Sequence, residues 1–579
     1  MSRIILLFLT AVTLSSAQLF TRITAGAPVT DGGDSRSVNW IDYDGDGFLD
    51  LFVSNGPAAG QNNFLYRNNG DGTFAKVTGG PVVSDGRSSD GSTWGDYDND
   101  GDPDLFVANW YGQHNLFYRN DGNGTFVQVT APVLARDGGY SESAAWGDYD
   151  NDGWLDLVVC NSAGNLKNFL YRNTRDGSFT KVTSGPVVSD LYHSRTADWI
   201  DIDGDGDPDL FIANEEGEHE NLYLNDGAGS FTSASLPSLL ANGGNTASSS
   251  WEDVDNDGDF DVFLANYGGQ KNRLLLNNGN GTFSAAGAPF TEDVSNSFGS
   301  AFGDTDNDGD LDLFVTNAFT AGTTKNFFYR NTGNGTFVRD SSFDADLGWS
   351  YGCAFGDYDK DGFLDLFVAK CFNATENNAL YRNNGGGGHW LRLDLAGKRS
   401  NRSAIGAVVR AKAAVNGTPV WQMRRVAGQS GYCGQTLQLH FGLGAASAVD
   451  SLVIRWPSGI TQVLTNVPAD TGLTIIEDTS LVTSVRRAPS APLEGALEQN
   501  FPNPFNPSTL IAYRLEHAAD AALRVYDTLG RVVATLAEGE HAAGRHAVRF
   551  DAAGLSAGVY YYRLTAGTVT ETKRMAYMK

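Results

Sequence analysis

Along the chain, apolar residues fall in short runs of strand length, separated by stretches rich in Gly, Asn and Asp. Runs of small residues end in an aromatic: Trp40, Trp94, Trp146, Trp199, Trp251, Phe302 and Phe355. Such runs suit an inner strand in a crowded centre, with the aromatic packed between sheets. An Asp-rich loop comes next, and then a wholly apolar run such as Leu51-Phe52-Val53, which reads as a buried strand. A third strand is expected over Asn63–Asn68, then a Gly/Asn turn and a fourth strand within Gly72–Thr78. The unit recurs seven times, with steps of 54, 52, 53, 52, 51 and 53 residues. Four strands per repeat of this length predict a β-propeller, here with seven blades. The seventh repeat lacks a fourth strand, because Asn378–Asn383 runs directly into Gly385–Gly388. Leu19–Thr24 has the form of Thr73–Thr78, so the N-terminal segment is expected to complete the last blade and latch the ring.

The loops carry the candidate chemistry. They start at Asp42, Asp96, Asp148, Asp201, Asp253, Asp304 and Asp357, and each keeps Asp at positions 1, 3, 5 and 9 and Gly at position 6. Alternate carboxylates on a tight turn can close around one hard cation, which takes six to eight oxygens. Glycine at position 6 permits the bend. The candidate ligands are Asp42, Asp44, Asp46, Phe48 (through its carbonyl) and Asp50 in the first loop, and Asp96, Asp98, Asp100, Asp102 and Asp104 in the second. They continue with Asp148, Asp150, Asp152, Trp154 and Asp156, then Asp201, Asp203, Asp205, Asp207 and Asp209. The fifth loop offers Asp253, Asp255, Asp257, Asp259 and Asp261, and the sixth Asp304, Asp306, Asp308, Asp310 and Asp312. Asp357, Asp359, Asp361, Phe363 and Asp365 complete the set. Calcium, at about seven sites, is the expected ion on this spacing. These are not EF-hands: position 12, which should be a bidentate Glu, holds Val53, Val107, Val159, Ile212, Leu264, Val315 and Val368.

These loops and strands resemble FG-GAP/VCBS repeats, the calcium-loop blades also found in integrin α-subunit propellers. The resemblance implies adhesion or ligand binding rather than a defined reaction. Residues 388–478 change character, with His389–Leu393, Asn401–Ala407, His440–Gly444 and Ile454–Gly459 resembling an ASPIC/UnbV domain. Alternation over Ala407–Ala411 and Ser451–Trp456 predicts a small β-domain. Propeller plus this module matches the architecture of the cartilage acidic protein-like family and its bacterial members. Arg399, Arg402, Arg424 and Arg425 form a basic group that would dock an external acidic partner, meet the acidic propeller itself or make a solvated face.

Residues 479–496 read as a linker. Gln499–Pro507, Val525–Arg531, Gly554–Tyr560 and the Lys573-Arg574-Met575 terminus resemble the type A sorting domain of the type IX secretion system. Its short alternating strands fit an Ig-like sandwich over 497–579. At the other end, Arg3, the apolar Ile4–Leu14 and Ser15-Ser16-Ala17 read as a signal peptide spanning 1–17. The chain is thus expected to be all-β: signal peptide, propeller over 18–387, ASPIC/UnbV-like domain, linker and sorting domain. It is expected to be secreted or held on the outer cell surface, with the type IX machinery as a partner.

Composition narrows the function. Lys and Arg number 41 against 69 Asp and Glu, for a net charge of −28, which argues against nucleic acid. Seven divalent cations would offset half of that charge. No apolar run approaches the length of a membrane-spanning helix. No HExxH, nucleophile elbow, P-loop or dinucleotide fingerprint occurs, and Gly428–Gly431 falls one residue short of the elbow. No catalytic residue is assigned, and the protein is not expected to be an enzyme. Cys353 and Cys371 flank the seventh loop; either a disulfide or buried thiols fit that spacing. Loops between the second and third strands lie opposite the Asp loops and offer Trp110, Tyr111, His114, Tyr267, Gln270, Phe319 and Phe372 as candidate ligand contacts. The expected function is calcium-dependent binding or adhesion to a glycan or extracellular protein. A polysaccharide lyase or hydrolase and a structural surface-layer protein are the alternatives.

Overall fold

The structure is a computed structural model that describes residues 19–578, apart from 131–132, 241–243, 280, 288, 291, 320–323, 372–375, 433, 482–495, 498–499, 501–502, 504, 516–518, 528–530, 542–543 and 567–568. The signal peptide, Phe372, Cys433 and most of the expected linker therefore lie outside the described residues.

Seven antiparallel sheets follow the seven repeats. Blade 1 consists of Ser35–Ile41, Asp50–Asn55, Phe64–Asn68 and Phe74–Lys76, with the first strand innermost. The inner strands of successive blades touch in a closed cycle, in which Ser350–Gly356 of blade 7 returns to Ser35–Ile41. Their small residues allow that crowding. The aromatics at their ends wedge between sheets: Trp40 stacks on Tyr358 of blade 7, with ring centroids 5.9 Å apart. Each second strand begins on the last Asp of its loop, as in Asp50–Asn55, so loop and sheet geometry are one unit. Phe20–Ile23 pairs antiparallel with Ala379–Asn383 and supplies the missing strand of blade 7. Phe20 is buried there against Phe328 and Phe343.

The module after the propeller has a three-stranded sheet (Leu439–Gly444, His389–Ala396, Thr471–Ile476). Its second sheet has four strands, Thr418–Arg425, Val408–Val415, Ala448–Arg455 and Thr461–Pro468. It is the small β-fold that its alternation predicts, yet it forms one compact unit with the propeller. It caps the end that carries the Asp loops. Arg402 N–H donates to Asn99 Oδ1 at 2.8 Å, Gly444 N–H donates to the Asn307 carbonyl at 2.7 Å, and His440 Nε2 meets the Gly362 carbonyl at 3.1 Å.

From this cap a segment descends into the propeller axis. Gly434–Thr436 runs parallel to the inner strand of blade 1, pairing Val38 with Gly434 and Trp40 with Thr436. The Gln435 side chain takes both backbone groups of Trp94, at 2.8 and 3.0 Å. Only glycine fits at the closest approaches: a Cβ on Gly428 would stand 2.1 Å from the Trp146 carbonyl oxygen, and one on Gly431 2.0 Å from that of Ser300. The Gly428–Gly431 run is thus a packing device in a plugged channel.

The second unit comprises residues 484–579. Its two sheets are Ala496–Leu497, Ser508–Leu515 and Gly544–Asp551, and Val532–His541, Ala519–Tyr526, Gly558–Ala566 and Val569–Tyr577. They share a core that includes Tyr513, Leu523, Tyr562 and Met575, as expected of a sandwich.

Candidate functional site

The first Asp loop shows how the local sequence builds a cation cradle. Gly47 takes φ 88°, and its N–H donates to Asp42 Oδ2 at 2.8 Å. Across the seven loops the position-6 glycine has φ between 88° and 109°, a region costly for any other residue. Asp50 accepts the Asn68 N–H at 2.7 Å and the Tyr43 N–H at 3.3 Å, which fixes position 9 against its own blade. The structure brings positions 1, 3 and 9 together: Asp42, Asp44 and Asp50 each offer an oxygen within 4.8 Å of the others. Asp96/Asp98/Asp104, Asp148/Asp150/Asp156, Asp201/Asp203/Asp209 and Asp253/Asp255/Asp261 do the same, and two more groups of this kind occur among the described residues.

Whether these residues suit a cation can be judged from their unused atoms. Oδ1 of Asp42, Asp98, Asp150, Asp201, Asp357 and Asp359 is buried without a hydrogen-bond donor. All six belong to position 1 or 3, and an unpaired buried carboxylate oxygen is costly. Burial, with neighbouring carboxylates adding to it, pushes Asp42 up to about 6, Asp96 to about 7, and Asp148 and Asp261 to about 8. A divalent cation supplies what this donor set lacks, and the clustered carboxylates could hold calcium.

Positions 5 and 7 are arranged differently from the sequence expectation. Asp46 caps its own turn, accepting the Phe48 N–H at 3.0 Å, and turns its other oxygen to Arg67 at 2.8 Å. Asp207 and Asp310 accept from Asn151 and Asn256 of the preceding blade, at 2.7 and 3.0 Å. These position-7 carboxylates tie blade to blade.

Sequence reasoning missed the residue that knits each loop to its neighbour. The Asn that ends the third strand reaches the position-2 carbonyl of the preceding blade: Asn68 to Tyr358, Asn120 to Tyr43, Asn173 to Tyr97, Asn225 to Tyr149, Asn331 to Val254 and Asn383 to Thr305, at 2.6–2.8 Å. Its backbone N–H serves position 9 of its own loop. The signal was present, since every third strand ends in Asn.

A ring of inner-strand residues was missed as well. Arg36, Asp90, Glu142, Arg195 and Tyr351 stand second in their strands and are buried around the axis. The Tyr432 hydroxyl of the plug, 1% exposed, lies 2.8 Å from an Asp90 carboxylate oxygen and 2.7 Å from one of Glu142, which share its single proton. Arg195 pairs with Glu142 at 2.9 Å. Two arginines of the basic group are absorbed nearby, with Arg425 on Asp198 at 3.3 Å and Arg424 buried. Contact with the acidic propeller is thus the reading that the structure supports for them.

The face opposite the cap carries the other candidates. Tyr111 is 47% exposed and Phe319 39%, and both hold left-handed backbone, with φ 53° and 54°. A bulky residue seldom occupies that region, and such strain concentrates at functional sites. Trp110 is half-buried, with ring centroids 4.7 Å from both Tyr111 and Tyr140. His114 is exposed. Tyr267 and Gln270 are tied into the fold: Tyr267 donates to Glu215 at 2.6 Å, and Gln270 Oε1 accepts the Asn245 N–H at 2.9 Å. Cys160, Cys353 and Cys371 are free and buried, so the Cys353–Cys371 bridge is not formed. Cys353 pairs in register with Val368, which leaves Cys371 three residues, or about 10 Å, further along.

Taken together, these features define a seven-bladed propeller with a carboxylate cradle in its blade loops, capped on the loop face. Residues 42–107, 96–159, 153–212, 201–264, 253–315 and 317–368 match the FG-GAP-like repeat family, and together cover more than half of the chain. The chain belongs to that family. Residues 397–482 match the ASPIC and UnbV family, and residues 499–577 match the secretion system C-terminal sorting domain. The chain is similar to cartilage acidic protein 1 of Homo sapiens, 28% identical over 186 residues, which is 30% of this chain and 27% of that protein. The Xenopus tropicalis protein of that name is 29% identical over 189 residues, 30% of this chain and 28% of that one. The chain thus spans under a third of the length of these relatives. Among solved structures, BBS1N in complex with ARL6DN aligns with a TM-score of 0.38 and 12% identity, over 63% of this chain and 97% of that one. The sorting domain marks this protein for export to the cell surface or the medium by the type IX route. Among the described residues no helix is long and apolar enough to cross a membrane.

Proposed function

We propose that this protein is a calcium-stabilised binding module of the outer cell surface, that it recognises a glycan, and that it acts by binding rather than catalysis. It is exported first through the segment 1–17 and then through its sorting domain. Seven calcium ions, one per Asp loop, hold the blades; positions 1, 3 and 9 supply carboxylates, and the position-7 carbonyl adds to them. Calcium supplies the charge that the clustered carboxylates lack, and no chemistry beyond that.

One observation carries the reading. The cap covers the loop face and its plug fills the channel, and on the opposite face Tyr111 and Phe319 are exposed in strained backbone. Aromatic rings beside polar groups suit the apolar faces and hydroxyls of sugars. The test is a glycan array probed with the full chain, in calcium and after chelation. Binding to one sugar class in calcium, lost in Trp110→Ala/Tyr111→Ala, is expected. A blank array with the fold intact would replace the glycan with a protein ligand.

A further inference from the structure

The third strand of most blades carries an arginine beside the loop aspartates. Arg67 meets Asp44 at 2.5 Å and Asp46 at 2.8 Å. Arg172 meets Asp150 at 2.5 Å, Arg330 meets Asp306 at 3.1 Å, and Arg382 meets Asp359 at 2.6 Å. In blade 2, Arg119 bonds Asp121 at 2.6 Å and acts electrostatically on Asp98. Blades 4 and 5 break the pattern, with Leu224 and Leu276 at this place. Their loops are among those with five aspartates.

The cap stands over these two loops with arginines of its own. Arg455 reaches Asp201 of loop 4 at 3.2 Å. Arg410 lies against Gly258 of loop 5, where an added Cβ would come within 2.9 Å of its guanidinium, and it acts on Asp259. Arg424 acts on Asp253 of loop 5 and on Asp304 of loop 6. All three belong to one sheet of the cap, in the neighbouring strands Val408–Val415, Thr418–Arg425 and Ala448–Arg455.

We propose that the cap supplies from outside the blade the counter-charge that the third strands of blades 4 and 5 do not carry, so that cap and calcium oppose one another at loops 4 and 5. The inference rests on the calcium reading above. A guanidinium beside a carboxylate cluster relieves repulsion when the loop holds no ion and repels an incoming cation. In five blades the third-strand arginine supplies that balance, joined at loop 7 by Arg392 of the cap, which meets Asp357 at 3.4 Å. In blades 4 and 5 cap arginines stand in for the missing third-strand arginine, which makes these two loops the place where calcium content and cap seating are most strongly coupled. The coupling is reciprocal: whatever calcium loses through the cap, the cap loses through calcium.

Calorimetric calcium titration of the full chain tests this, comparing the parent with Arg410→Ala/Arg455→Ala and with Leu224→Arg/Leu276→Arg. The double alanine variant should tighten two sites by about threefold or more and leave five unchanged. Its melting temperature should fall in chelator and stay level in saturating calcium. The double arginine variant, which leaves the cap untouched, should weaken two sites by a similar factor. Equal shifts at all sites, or none in either variant, would overturn the proposal. A parent chain that takes up no calcium would instead overturn the calcium reading. The chelated melting comparison would then still decide whether the cap arginines serve the ion-free loops.

Discussion

The two faces of the propeller solve opposite problems. The loop face concentrates carboxylates and ties its elements together: asparagines bridge blades, arginines meet aspartates, and a cap closes over the face, while oxygens of positions 1 and 3 are left for a cation. The opposite face leaves aromatic rings in water at a cost in backbone strain. Where charge is dense, the molecule invests in mutual satisfaction. On the opposite face it leaves groups exposed and strained. On the proposed function, that division makes the Asp loops structure and the opposite face the working surface.

The largest predicted effect concerns the loop face without its ions. There the folded state holds Asp42, Asp96, Asp148 and Asp261 at values of about 6 to 8, against about 3.9 in an unfolded chain. The folded state therefore binds more protons. This contribution to stability is full below the unfolded value and is lost as pH rises through 6 to 8. The chelated protein should melt lower at pH 8 than at pH 5, and calcium should remove that trend. Unequal chelated melts of the opposite order would break the contrast between the faces.

Next comes the plug. Tyr432→Ala empties a fully buried site at the axis and should cost about 3–5 kcal/mol in urea denaturation. Asn120→Ala removes the tie from blade 2 to the Tyr43 carbonyl and should cost about 1–3 kcal/mol. The smallest effect has the opposite sign. Tyr111→Gly relieves a left-handed residue and should raise stability by up to about 1 kcal/mol while ligand affinity falls. A loss of stability there would mean that Tyr111 serves packing.

Much of this was legible in the chain because it repeats. Seven copies of one loop define the blades, and the match of Leu19–Thr24 to Thr73–Thr78 indicates the latch. The rest depends on contacts between distant residues that differ in kind. Nothing near Tyr432 announces Asp90, 342 residues away. The glycines at 428 and 431 look like a loop until the backbones they face are known. The position-5 aspartates follow the ligand spacing, yet bonds within the turn and to arginine claim Asp46. Cys353 lies on one strand and Cys371 just past the end of its neighbour, and only the register separates them. Tyr267 and Gln270 share their loops with exposed residues, and their partners Glu215 and Asn245 come from other segments.

The most direct test of the account is a calcium count on the full chain by native mass spectrometry, paired with melting in calcium and in chelator. The account predicts seven bound ions and a clear rise in melting temperature on loading. No bound calcium, or a melting temperature indifferent to it, would contradict the claim that the Asp loops are the ion-held frame of the propeller.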